Sequence, residues 1–185
     1  MIWRNSKEQY GAVAKSFHWL IALLVIVMLG VGLYMSGLDP SPKMFQIYAL
    51  HKSMGITILF LVILRLLWRL TNGVPIPLPN HKVWEKRLAK IIHGLLYLSL
   101  VAMPLSGWIM SSAKGFSVSV FNLFTLPDLV KPNDNLAELA VEFHELVAYA
   151  LIGMILLHIA GALKHHLIDR DDTLRRMLPA LGRKR

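Results

Sequence analysis

Four stretches of this chain are long and apolar enough to cross a lipid bilayer. Residues 16–38, 91–113 and 146–163 contain no Lys, Arg, Asp or Glu, and the last of these extends upstream through His144. The stretch 47–68 is apolar apart from one lysine and one arginine near its two ends, and both can snorkel towards water. Since a spanning helix needs about 20 predominantly apolar residues, the sequence predicts four transmembrane helices, over 16–38, 47–70, 90–113 and 143–167.

The composition agrees with residence in a membrane. The 185-residue chain is 55% hydrophobic and 17% charged, and its mean hydropathy of +0.52 exceeds that of most soluble domains. The predicted fold is an all-α membrane protein, a four-transmembrane-helix bundle forming a single domain over residues 1–185. Cysteine is absent, which excludes disulfides, iron–sulfur clusters and thiolate ligands. A bound metal would therefore rely on histidine, methionine or carboxylate.

Basic residues are divided unequally between the two predicted sides of the membrane. Fourteen basic residues lie on one side, in the N-terminal segment, in the connection between the second and third helices and in the tail from Lys164 onward. The loops on the opposite side carry only Lys43, Lys114 and Lys131. Cytoplasmic loops are enriched in Lys and Arg, so we expect a multi-pass protein of the bacterial inner membrane with both termini in the cytoplasm. The net charge of +9 then reflects membrane topology, and no nucleic-acid partner is expected.

Five histidines of the predicted helices fall into two layers. Because successive helices run in opposite directions, His51 and His144 lie towards the periplasm, and His18, His93 and His158 lie towards the cytoplasm. His144 and His158 are 14 residues apart in one helix, so they share nearly one face at a separation of roughly 21 Å. Two layers of imidazole ligands predict two metal centres in series, for which two b-type haems are the natural candidates.

The two layers differ in how clearly the sequence identifies the ligands. His51 and His144 are the two helix histidines of the periplasmic layer, so they form its predicted pair. In the cytoplasmic layer His158 has two possible partners, because His18 and His93 each lie three residues inside a lysine. The residues alone favour His18 only slightly.

Small and cationic residues near these layers would complete the haem sites. Glycines at positions 55, 94 and 107 would leave room for the edge of a macrocycle between helices. Arg65, 14 residues after His51, is expected to bind a propionate on the cytoplasmic side, with Arg69 as the second choice. Lys52 would serve the periplasmic haem in the same way or attract an anion to it. The three glycines are Gly55, Gly94 and Gly107.

The segments outside the predicted spans carry further expectations. The proline-rich segment 74–79 predicts an extended connector, followed by an amphipathic turn over 83–90, and His81 between them is expected to be solvated. The segment 114–142 is the longest outer loop and would cap the periplasmic end. His165 lies seven residues after His158, where it would carry protons to a bound quinone or contact a haem propionate.

Several segments, in this order, resemble the bacterial four-helix cytochrome b561 family. They cover nearly the whole chain, and single motifs are weaker than their order and the register of the histidines. The segments are FHW at His18, ALHKSMGI around His51, RLLWRL at 65–70, IIHGLLYLSLVAMPLSGW at 91–108, FHELVAYALIGMILLHIAGALKHH at 143–166 and DDTLRRMLP at 171–179.

The resemblance implies two b-type haems, one held by His51 and His144 and the other by His18 and His158. It also implies superoxide oxidase activity, in which periplasmic superoxide gives up electrons and ubiquinone in the membrane is reduced to ubiquinol. Lys52 would then attract superoxide, and protons would come from His165, or else from His166 or His93. The alternative is a cytochrome b anchor subunit that relays electrons between a partner dehydrogenase or hydrogenase and the quinone pool.

Overall fold

The computed structural model describes residues 3–179 and consists of four long helices and one short hairpin. Three basic residues counted above in the tail, Arg183, Lys184 and Arg185, lie outside the described residues. The elements in chain order are α1 (Ala12–Met35), α2 (Pro42–Asn72), α3 (Val83–Ala113), β1 (Ser119–Val120), β2 (Phe124–Thr125) and α4 (Asp134–Leu167).

The helices begin earlier than the apolar stretches predicted. α2 begins five residues before position 47, α3 seven before position 90, and α4 nine before position 143. Hydropathy detects only the part of a helix suited to lipid, whereas charged residues continue the same helix into water. The turn expected over 83–90 is consequently the start of α3, and residues 134–142, expected as loop, are helical. The fold is otherwise the predicted four-helix membrane bundle.

Local sequence signals account for these early starts. Ser41 accepts a hydrogen bond from the backbone N–H of Met44 at 3.2 Å, and Pro42 occupies the first helical position. Asn133 caps α4 in the same way by accepting from the N–H of Leu136 at 3.0 Å. At the other end of α2, Gly73 adopts a φ of 63°, a conformation that favours glycine and ends the helix.

The most tightly buried core lies at mid-height in the bundle. Leu151 of α4 packs with Ile21 and Val25 of α1 and with Ile58 and Val62 of α2. In α2 the core residues lie between His51 and Arg65, and in α4 Leu151 lies between His144 and His158. An apolar layer therefore separates the two histidine layers.

The outer surface of the bundle is apolar over the middle of the helices. Large side chains such as Leu23, Phe60, Leu98 and Leu156 are more than half exposed, and all four helices are long and apolar enough to cross a membrane. Exposure of such a surface to water would be energetically unfavourable, whereas its contact with lipid tails is not.

The short hairpin packs on one end of the bundle, which we call the hairpin end. Val118 and Val120 are buried there. The backbone N–H of Phe121 donates to Oγ of buried Ser53 at 3.0 Å, and this oxygen also lies 3.1 Å from the carbonyl oxygen of Ser119. This contact holds the hairpin against α2 two residues beyond His51, so the segment covers this end as expected.

At the opposite end, which we call the tail end, three non-helical segments pack together: residues 3–11, 73–82 and 168–179. The N–H of Ile76 donates to the carbonyl of Lys7 at 2.9 Å. Arg176 donates to the carbonyl of Ile76 at 2.9 Å, and the indole of Trp19 donates to the carbonyl of Met177 at 2.9 Å. The tail is thereby fastened to the first half of α1 and to the connector between α2 and α3.

The mid-height core predicts a local sensitivity to truncation. Leu151→Ala should lower the free energy of unfolding by about 2–4 kcal/mol, because the site is enclosed by three helices and cannot collapse fully. Leu157→Ala is the matched control, since Leu157 is 61% exposed in the same helix. Thermal unfolding in detergent would measure both variants, and equal destabilisation would contradict this description of the core.

Candidate functional site

In the histidine layer at the hairpin end, His51 of α2 lies next to His144 of α4. The imidazole centroids of His51 and His144 are 6.4 Å apart, and their planes are inclined by 67°. Nδ1 of His51 is buried and, among the described residues, has no hydrogen-bond partner. A buried nitrogen without a partner is costly in a protein interior, which indicates that this layer is arranged around a group other than the polypeptide.

Ser106 of α3 determines which nitrogen of His144 carries the proton. Its hydroxyl donates to the carbonyl of Met103 at 2.8 Å, and Nδ1 of His144 lies 2.9 Å from the same Oγ. A serine hydroxyl has a single proton, so Nδ1 of His144 donates and Oγ accepts. The other ring nitrogen, Nε2, is left with a free lone pair, as a metal ligand requires.

Two glycines allow the helices to approach these imidazoles closely. A Cβ atom at Gly107 would lie 3.2 Å from Cε1 of His144, and a Cβ at Gly32 would lie 3.5 Å from Cε1 of His51. The first separation is shorter than ordinary contacts, so an alanine at position 107 would push the His144 ring aside. Gly107 was predicted to make room for a macrocycle, and in the structure it also positions a histidine.

A cavity of about 610 Å³ adjoins both histidines of this layer. Its volume falls within the roughly 300–1,000 Å³ typical of pockets for small molecules and cofactors. Gly55 and Gly107 line it, and so do Lys52 and Lys114 near its outer end. The ammonium of Lys52 donates to Oγ of Ser111 at 3.2 Å, so one cation is held at the wall of the cavity.

The layer at the tail end contains three histidines. The centroid of His158 is 6.1 Å from that of His18 and 5.1 Å from that of His93. The side chain of His93 is exposed, whereas His18 and His158 are half-buried. Two imidazoles on opposite sides of one ion, with bonds of about 2.0–2.1 Å, have centroids about 6 Å apart. The separations in both His51–His144 and His18–His158 agree with that value, and the separation in His93–His158 is shorter.

Two arginines of α2 lie beside this layer, as the sequence led us to expect. A terminal nitrogen of Arg65 lies 3.2 Å from Nδ1 of His18, within hydrogen-bonding distance. The guanidinium carbons of Arg65 and Arg69 lie 5.3 Å and 5.7 Å from the ring centroid of Tyr97, at cation–π distance. Arg65 is therefore held next to His18 and both cations next to Tyr97, where an anionic group could pair with them.

Other residues named from the sequence lie elsewhere. A Cβ at Gly94 would meet no atom within 4 Å, so its surroundings are open. The imidazole of His165 contacts the tail, with Nδ1 2.7 Å from a carboxylate oxygen of Asp169. The expectation that His81 is solvated is wrong, because its ring stacks on that of His165 at 4.2 Å and its Nε2 lies 2.8 Å from Asp171. A turn in the tail brings Asp171 back to His81, and no local sequence pattern predicts this contact.

Sequence reasoning missed several residues that the structure brings to the site. Ser106 precedes Gly107 in α3, and its role follows only from the way α3 packs on α4. From the sequence, Lys114 was considered only as one of the charges of an outer loop, whereas in the structure it lines the cavity. Tyr97 lies four residues after His93 and so shares its helix face, which was the available signal.

Comparison with known proteins agrees with this arrangement. A family profile described as prokaryotic cytochrome b561 matches residues 9–180. The chain belongs to the prokaryotic cytochrome b561 family. It is 37% identical to cytochrome b561 homolog 2 of Escherichia coli (strain K12) over 179 residues, which cover 96% of this chain and 95% of that protein.

Two further relatives of the family have similar coverage. A protein of Yersinia pestis named probable superoxide oxidase CybB is 31% identical over 172 residues, 93% of this chain and 97% of its own. Cytochrome b561 homolog 1 of Escherichia coli (strain K12) is 31% identical over 166 residues, 88% of this chain and 92% of its own. Membership of the family means a multi-pass bacterial membrane protein that binds b-type haem and transfers electrons.

The residues of the hairpin-end layer fit such a haem. Imidazole is a common axial ligand of haem iron, and His144 has the tautomer that leaves Nε2 free. The partnerless nitrogen of His51 and the adjoining cavity provide a second ligand and space for a macrocycle. The donor set, which lacks cysteine, also agrees with haem rather than an iron–sulfur cluster.

Removing the serine hydroxyl should loosen haem binding in this layer. Ser106→Ala deprives Nδ1–H of His144 of its acceptor, and loss of such outer partners typically weakens metal binding 10–100-fold. We therefore expect faster transfer of one haem to excess apomyoglobin. Ser99→Ala is the control, since Ser99 lies seven residues earlier in α3, about 10 Å along the helix. Identical transfer rates in the two variants would show that the contact does not orient His144.

Proposed function

We propose that this cytochrome is a superoxide oxidase that uses ubiquinone as its electron acceptor. Two superoxide anions would each lose one electron and become dioxygen, and one ubiquinone would take up the two electrons and two protons to become ubiquinol. The observation that carries the proposal is a cavity lined by Lys52 and Lys114 next to one of two histidine layers. The printed name of the Yersinia pestis relative supports the choice of superoxide.

The proposal assigns two haems to the two layers. His51 and His144 would ligate one iron, and His18 and His158 the other. The centroid separations of 6.4 and 6.1 Å support both pairs. His93 is the weaker candidate, because its centroid is only 5.1 Å from that of His158.

When bound, haem iron supplies reversible one-electron oxidation and reduction. The side chains of the protein would perform the remaining tasks. Ser106 orients His144, and the mid-height layer around Leu151 excludes water between the two sites. Arg65 would bind a propionate through its guanidinium, with Arg69 as a second cation, because Arg65 lies beside His18 and both lie beside Tyr97.

Cations at the hairpin end would bring superoxide to the site. Lys52 and Lys114 both line the cavity, and Lys114 is exposed. Lys43 at the start of α2 adds a third positive charge to the same end. A positively charged cleft with apolar walls concentrates small anions and raises their association rate.

Protons for ubiquinol would enter at the tail end. His165 is the proposed donor, because it lies seven residues after His158 and its Nδ1 is 2.7 Å from a carboxylate of Asp169 at the surface. An imidazole can accept a proton from water on one ring nitrogen and release one from the other. Gly94 and Gly55 would leave space for haem edges, since a Cβ at either position would meet no atom within 4 Å.

The proposed location is the bacterial inner membrane, with both termini in the cytoplasm. The tail end carries most of the basic residues outside the spans, and the hairpin end carries three. The hairpin end would then face the periplasm, where superoxide enters. The lipid bilayer, superoxide and ubiquinone are the partners in this proposal, and the chain forms one domain.

Rapid mixing of the purified haem-loaded protein with superoxide tests the proposal. Haem reduction should be fast, and added ubiquinone should reoxidise the haem with formation of ubiquinol. Lys52→Gln and Lys114→Gln should each slow reduction several-fold at low ionic strength, and salt should diminish the difference. Lys131→Gln is the control, because Lys131 is an exposed loop lysine at the same end.

Slow reduction by superoxide, with normal reduction of the haem by a chemical donor, would contradict the proposal. That result would favour the alternative, an electron-relay subunit for a partner dehydrogenase or hydrogenase. Equal effects of the three lysine variants would be compatible with superoxide oxidation but would refute the proposed entry of superoxide through the cavity.

A further inference from the structure

A cluster of potential metal ligands lies at the tail end, outside both histidine layers. His81 comes from the connector between α2 and α3, His165 from the last turn of α4, and Asp171 from the tail. One ligand atom of each lies within 4.8 Å of those of the other two. Their side chains are 13–14% exposed, so the site is formed by the fold and is still accessible to an ion.

The geometry within the cluster suits one small cation. Oδ2 of Asp171 lies 2.8 Å from Nε2 of His81 and 3.3 Å from Nδ1 of His165. Ligand atoms around a tetrahedral ion with bonds of about 2.0–2.1 Å are about 3.3 Å apart. Only small side-chain shifts would therefore place an ion between the three atoms.

The carboxylate of Asp171 is oriented by its surroundings. Its other oxygen, Oδ1, accepts from the backbone N–H of Thr173 at 2.7 Å, which directs Oδ2 towards the two histidines. Partial burial raises the pKa of Asp171, but hydrogen bonds from Thr173 and His81 outweigh this and lower the pKa to about 2. The group is thus ionised at neutral pH.

His165 is incompletely satisfied by the polypeptide. Its Nδ1 is buried and, within residues 3–179, makes no hydrogen bond of acceptable geometry, although a carboxylate oxygen of Asp169 is only 2.7 Å away. That oxygen is also bonded to the ammonium of Lys164 at 2.7 Å. Lys164 pairs with both Asp169 and Glu85, and Asp171 is the carboxylate that contacts both imidazoles.

We propose that His81, His165 and Asp171 bind one Zn²⁺ ion, with water as the fourth ligand. Two imidazoles and one carboxylate are a common zinc donor set, and three protein ligands leave one coordination position open. Hard cations such as Mg²⁺ and Ca²⁺ prefer sites made of oxygen ligands only. The ion would join the connector, the end of α4 and the tail. Binding of the ion does not require the proposed superoxide chemistry, but an ion on Nδ1 of His165 would exclude this residue as the proton donor, and His166 or His93 would then take that role.

Equilibrium dialysis of the purified haem-loaded protein against Zn²⁺, followed by elemental analysis, tests the site. The wild type should retain one Zn²⁺ per chain, and an excess of Mg²⁺ should not displace it. His81→Gln, which keeps a hydrogen-bond donor for Asp171, and His165→Ala should each weaken binding more than 100-fold, beyond the roughly 10–100-fold typical of outer-shell losses. His166→Ala is the matched control and should bind Zn²⁺ as the wild type does.

A second measurement reports the link to the tail. Zn²⁺ should slow tryptic cleavage at Arg175 and Arg176 in the wild type, by up to about 100-fold at a free concentration 100 times the Kd. It should not do so in His81→Gln. Absence of bound Zn²⁺ in the wild type, equal binding by His81→Gln, or loss of binding in His166→Ala would each overturn the proposal. Zn²⁺ binding without tail protection would refute participation of Asp171.

Discussion

The structure depends on the contact of α1, α2 and α4 in one apolar layer at mid-height. Leu151 packs there against Ile21, Val25 and Val62, and side chains of α3 surround the cluster. Because this layer joins α4 to α1 and α2 at one height, the regions above and below it can remain more open. The histidines occupy those two regions, and one of them retains a cavity of about 610 Å³. The residues that stabilise the bundle and the residues that line the ligand cavity thus lie at different heights of the same four helices.

Much of this arrangement could be predicted from sequence, because membrane helices follow simple rules of length and hydropathy. The number of helices followed from four apolar runs. The meeting of His51 with His144, and of His158 with the other histidines of its layer, followed from helix rise and alternating direction. The starts of the helices were harder to predict from hydropathy, since charged first turns such as that of α4 lie in water. Their caps, Ser41 and Asn133, were the local signals that hydropathy ignores.

The choice between His18 and His93, and the role of Ser106, could not be predicted from spacing. Both depend on helix rotation and on small differences in packing, which periodicity does not specify. The same is true of His81, whose neighbours His165 and Asp171 are 84 and 90 positions away in the sequence. Such long-range contacts form only after the connector and the tail have packed on each other, and they are where the structure adds most to the sequence.

Haem content of single histidine variants tests the two-layer account most directly. Each variant would be purified from membranes, and haem per chain would be measured by haemochrome absorption and redox titration. The account predicts two haems in the wild type and in His93→Ala, and one haem in His51→Ala and in His18→Ala. A wild type with a single haem would contradict it, and so would a His18→Ala variant that keeps two haems while His93→Ala loses one.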